Sequence, residues 1–168
     1  MYKISIHKLE KDFLQLVKTI GNNPVKEDFI KILDDIIDEN IEAKHFTSEG
    51  LKDTFAYVVG EPKNITRMFT AHYDTVGNNV VRTEKFATNP YGHAVSVIEG
   101  VKSDNYYISS TDNEILGADD RAGCLVLANL IKAEIEGLYI FFPNEETGAN
   151  ASRTLSLKYD EIIKPTLS

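Results

Sequence analysis

The chain has 168 residues, enough for one compact domain that buries roughly two-thirds of its unfolded surface. Hydrophobic residues make up 42% and charged residues 26%, globular values that exclude fibrous, low-complexity and disordered classes. A formal net charge of -8 argues against a phosphate-binding basic surface and so against a nucleic-acid partner, and the lone Cys124 excludes an internal disulfide.

The N-terminus MYKISIHKLEKDF alternates charged and apolar residues where a leader would carry an apolar core, and no run approaches the ~20 apolar residues of a membrane span. The expectation is a cytoplasmic protein with no membrane partner. Leu9, Phe13, Leu16, Val17 and Ile20 share one helical face, with Gly21 as a stop. Asn23 and Pro24 then supply an N-cap and a first-turn proline for a second helix to about Asn40, with Val25, Phe29, Ile32, Leu33, Ile36 and Ile37 on its apolar stripe.

Two β-rich runs follow, Phe55 to Val59 and Ile65 to Ala71, separated by turn residues around Pro62. From Gly77 to Asn113 no clear period emerges, apart from a candidate strand at Tyr106 to Ser109. Ala122 to Glu136 reads as a helix stopped by Gly137, with Cys124 in its apolar run as a buried structural thiol. Leu138 to Phe142 reads as a strand buried on both faces, and Ala151 to Ser168 as a loop and a short helix ending at Pro165. Helices alternating with strands predict an α/β sandwich, and no linker or repeat divides residues 1–168 into more than one domain.

Three clusters put metal-competent side chains where a predicted strand meets a loop, or just before a helix: AHYDTV (71–76), LGADDRAG (116–123) and PNEETG (143–148). His72 and Asp74, two apart at a strand end, point the same way, so His72 has a ring nitrogen for a metal while Asp74 orients the ring through the other. A surface histidine beside an aspartate is by itself common. Asp119 and Asp120 precede a helix, where, taken alone, an N-cap with an acidic first turn is the better explanation. Glu145 and Glu146 end a buried strand, a costly place for like charges unless a cation compensates them or one is protonated. Adjacent residues project to different sides, so one glutamate can ligate while the other accepts a proton from water.

In this order, the three motifs resemble the signatures of the dizinc exopeptidases, closest to the peptidase T group and the related aminopeptidases and deacylases. The resemblance implies a three-layer α/β/α sandwich around a mixed, mainly parallel sheet. It implies two zinc ions, with cobalt or manganese suited to the same ligands, and a peptide substrate. Carried over by position, His72 binds one metal, Asp119 bridges both and Glu146 binds the other. Glu145 becomes the general base, Asp74 supports His72, and Asp120 stands behind the ligands after a peptide bond that is often cis in relatives. Two divalent ions about 3.5–4 Å apart need such a bridging anion.

The family's two further ligands, an acid and a C-terminal histidine, have no match downstream of PNEETG. The resemblance therefore describes a catalytic domain incomplete on its C-terminal side, to be completed by a further segment or by a second copy in a homo-oligomer. It also leaves open a non-catalytic binding module that keeps the fold. His93 reads as a solvent-facing loop histidine, and His7 and His45 as structural or exposed.

Overall fold

The computed structural model describes residues 5–18, 24–37, 41–46, 49–76, 83–86, 107–110 and 117–166. Helix α1 (Ile6–Lys18) buries Leu16 and Val17 and packs Leu9 and Phe13 against the same core, as the apolar stripe predicts. Ile20, Gly21 and Asn23 lie outside the described residues. Helix α2 (Lys26–Ile37) buries Phe29, Ile32, Leu33, Ile36 and Ile37. Its first bonded carbonyl belongs to Val25, which accepts from the N–H groups of Asp28 and Phe29 at 3.1 Å each, so Pro24 precedes the helix and does not open it.

Strands β1 (Lys44–His45), β2 (Phe55–Val59), β3 (Met68–His72), β4 (Thr83–Phe86) and β5 (Tyr107–Ser110) lead to helix α3 (Ala118–Lys132), strand β6 (Gly137–Phe142) and helices α4 (Asn150–Leu157) and α5 (Tyr159–Thr166). β1, β2, β6 and β3 form a four-stranded sheet in that order, and β4 pairs with β5 as a separate antiparallel pair. β3 starts three residues later than its apolar run, whose first residue, Ile65, instead caps a 3-10 turn at Pro62–Asn64 by donating its N–H to Pro62 O at 3.2 Å. Among the sites named above, His93 lies outside the described residues, and His45 is exposed on β1.

The sheet is mixed, as the resemblance implies, and among the described strands it holds one parallel pairing. β6 runs parallel only to β3, while β1–β2 and β2–β6 are antiparallel. That single parallel pairing positions the site, because parallel neighbours about 4.8 Å apart deliver their C-terminal ends to the same edge. His72 and Phe142 are partners in register there.

β6 is buried along its whole length, and its side chains alternate between two cores. Tyr139 and Phe141 face the helices α1, α2 and α3, where Phe141 stacks on Phe55 at 5.1 Å and Phe29 stacks on Tyr73 at 4.9 Å. Leu138, Ile140 and Phe142 face Ala151 and Leu155 of α4 and Ile163 of α5. Three layers result, helices lying on both faces of the sheet as the resemblance implies.

Two expected boundaries moved for identifiable reasons. α3 stops at Lys132: Glu134 adopts φ 54°, its N–H donates to Ile131 O at 2.8 Å, and Ile135 N–H donates to Leu130 O at 3.1 Å. This paired reverse bonding is the Schellman stop, with glutamate in the left-handed position that glycine usually takes. Gly137 belongs to β6, where a Cβ would lie 2.8 Å from the Phe69 ring. The segment expected as a loop after Ala151 is helical, since Ala151 and Leu155, four apart, both bury against the sheet.

Candidate metal centre

His72 ends β3, and its ring is held from behind. Nδ1 lies 3.1 Å from the main-chain oxygen of Asp74 and 3.5 Å from its carboxylate Oδ1. The shorter contact assigns Nδ1–H as donor to the carbonyl, which leaves the Nε2 lone pair for a ligand. Nε2 faces Asp119 Oδ1 at 3.3 Å and Glu145 Oε2 at 3.9 Å. Among the described residues, His72, Glu145 and Glu146 bring one ligand atom each within 4.8 Å of one another.

The glutamates reach this point from an exposed turn rather than from a buried strand end. β6 stops at Phe142, and residues 145–148 form a turn closed by Gly148 N–H to Glu145 O at 3.0 Å. Strand alternation does not apply in a turn, so both carboxylates approach the same imidazole. The turn is fastened by Asp74, which is only 2% exposed: Glu145 N–H donates to Oδ1 at 3.1 Å and Glu146 N–H to Oδ2 at 3.2 Å.

Asp119, Asp120 and Arg121 take three directions. Asp119 and Asp120 have non-helical backbone angles and the peptide bond between them is cis, so the regular helix begins after them. The Asp119 side chain is 87% exposed and turns to His72. Asp120 accepts the Gly123 N–H through Oδ1 at 3.1 Å, the N-cap geometry, and the His72 N–H through Oδ2 at 3.4 Å. Burial pushes the Asp120 carboxyl pKa up, and those two N–H groups oppose the rise. The helix-cap reading of the acid pair thus holds for Asp120, while Asp119 is left to the cluster.

Arg121, unassigned by the motif reading, is 2% exposed; its Nη1 donates to Leu16 O at 2.9 Å and its Nε contacts Tyr73 O at 3.5 Å. Burial pushes its pKa down, opposed by the nearby Cys124 and Asp74. Its position was legible: 121, 124, 125 and 128 make one helical stripe, and the other three are apolar and buried. Cys124 is fully buried and its Sγ donates to His72 O at 3.2 Å, so it backs the histidine strand.

The donor set suits a divalent cation. One imidazole nitrogen with its outward lone pair converges with the carboxylates of Asp119, Glu145 and Glu146, an assembly of like charge that a cation relieves.

No protein-family model matches the chain, and no curated protein gives a significant match. Among solved structures, it is similar to a tripeptidase from Staphylococcus aureus subsp. aureus Mu50, with 23% identity and a TM-score of 0.58 over 89% of this chain. It is similar also to the aminopeptidase PepT from Bacillus cereus ATCC 10987, with 22% identity and the same TM-score and coverage. The chain spans 39% of the length of each. No described helix is long and apolar enough to cross a membrane. The chain shares with these structures the fold over the matched part, a mixed sheet between helix layers; in this chain the histidine and carboxylate cluster lies at the C-terminal end of β3.

Proposed function

We propose that the chain is the metal-binding part of a metal-dependent exopeptidase of aminopeptidase type, acting on peptide bonds. The observation that carries this is the convergence of His72, Glu145 and Glu146 within 4.8 Å, with Asp119 3.3 Å from the imidazole. The peptidase identity of the two similar structures supports it.

In this reading His72, Asp119 and Glu146 would hold the metal, zinc being favoured by the mixed nitrogen and oxygen set. The metal supplies Lewis acidity to the scissile carbonyl and makes water a stronger acid. Glu145 takes the proton of the attacking water and passes it to the leaving amine nitrogen. Its carboxylate suits that work because its side chain is 49% exposed and its Oε2 lies 3.9 Å from His72 Nε2, beside the cluster. Asp120 keeps His72 in place through the main chain.

The test is metal content by mass spectrometry after zinc loading and desalting, with dipeptide and tripeptide hydrolysis on the same sample. Retained zinc with turnover, and a loss of about a hundredfold or more in kcat for Glu145→Gln with zinc still bound, is the expected result. Unchanged turnover in that variant removes Glu145 from its role. Zinc retained without any turnover favours a binding module on the same fold.

A further inference from the structure

The motif reading gives the Asp74 carboxylate to the imidazole of His72. The distances divide the work differently. His72 Nδ1 is nearer to the main-chain oxygen of Asp74, at 3.1 Å, than to the carboxylate, at 3.5 Å. Each carboxylate oxygen instead takes one main-chain N–H of the glutamate turn, at 3.1 and 3.2 Å across a separation of more than seventy residues.

We infer that Asp74 is a positioning residue for the Glu145–Glu146 turn: its side chain fixes the two glutamates through their backbone, while its own carbonyl fixes His72. The chemistry favours this division. A carboxylate that is 2% exposed needs donors for both oxygens, and main-chain N–H groups are rigid donors that cost no side-chain entropy. The N–H groups at the start of a turn have no partner within it, and a charged acceptor bonds them roughly twice as strongly as a neutral one. Arg121, buried beside this carboxylate, adds a positive charge on the core side. The glutamate side chains stay free of hydrogen bonds to Asp74, so their carboxylates remain available to a ligand while the backbone beneath them is fixed. The pinning uses only groups of this chain. Its consequence for activity rests on the peptidase reading; the pinning itself does not.

The test is residue-resolved amide hydrogen exchange and imidazole nitrogen NMR on the full chain, free of metal. The Glu145 and Glu146 amides should be protected in the parent chain. In Asp74→Asn, which keeps one acceptor and turns a donor toward the second N–H, their exchange should rise about tenfold or more, with the His72 tautomer unchanged. A changed tautomer with the two amides still protected would overturn the proposal in favour of the carboxylate-imidazole pairing. Should Asp74→Asn fail to fold, Glu145→Ala combined with Glu146→Ala decides instead. That pair keeps Asp74 and both N–H groups, so protection should persist; its loss would show that the glutamate side chains hold the turn. Zinc titration of Asp74→Asn should give an affinity about tenfold weaker. Protected amides in a parent chain that, after zinc loading, neither retains zinc nor hydrolyses peptides would sink the peptidase reading and leave the pinning intact, and turnover with unprotected amides would do the reverse.

Discussion

Gly123 shows how closely the acid pair depends on a residue without chemistry of its own. A Cβ added there would land on the Asp120 carboxylate, which must then leave the N–H groups of Gly123 and His72. Gly123→Ala is expected to cost about 1–3 kcal/mol, the penalty for orphaning such groups, and to weaken metal retention because His72 loses its main-chain anchor. Denaturant melts and zinc titration of that variant check both effects; a stable variant with unchanged zinc affinity would refute the linkage. At this scale the motifs were legible, since His72, Asp119, Glu145 and Glu146 gather as their order along the chain suggested. What sequence could not supply was which atom does which task. Asp74 acts on His72 through its carbonyl, and no pattern of side-chain types encodes a main-chain contact.

Elements built on one strong period were readable, and those decided by tertiary packing were not. β2 falls on Phe55–Val59 as the run of β-formers indicated, and α2 follows its apolar stripe. The end of α3 departs from the glycine stop signal: the chain reverses at Glu134, and Gly137 instead admits the close approach of Phe69. Glu134→Gly should therefore stabilise the protein, by about 0.5–1 kcal/mol, by removing the left-handed strain from an exposed glutamate. A shift of the urea midpoint at constant m-value measures it; no shift, or a downward one, would mean the turn is held by contacts that favour the side chain. The mixed sheet between helix layers is as the resemblance implies, and only the share of parallel pairing differs: among the described strands β3–β6 is parallel while β1–β2 and β2–β6 are antiparallel.

For the whole molecule, the two cores share one sheet, and the tyrosines of the core under α1, α2 and α3 make the fold sensitive to alkali. Burial pushes the hydroxyls of Tyr57 and Tyr73 well above their ordinary 10.0; the bond to Asp34 adds to the rise for Tyr57, and the charge of Asp53 adds to it for Tyr73. The folded chain thus binds more protons than the unfolded one above pH ~10, so stability is full below that pH and falls as pH rises through it. Denaturant midpoints measured between pH ~9 and ~11 should drop, with the tyrosinate absorbance of these residues rising only as the chain unfolds. Their free titration in the folded state would contradict the burial argument. The segment that carries Asp119, Asp120 and Arg121 has a comparable global reach. One residue points to the ligand cluster, the next caps the helix, and the third enters the core. Adding a single residue after Asp120 would rotate everything that follows by about 100° about the helix axis. Arg121 would leave the core and the buried face of α3 would turn outward, so this segment constrains chain length as strictly as it constrains residue identity.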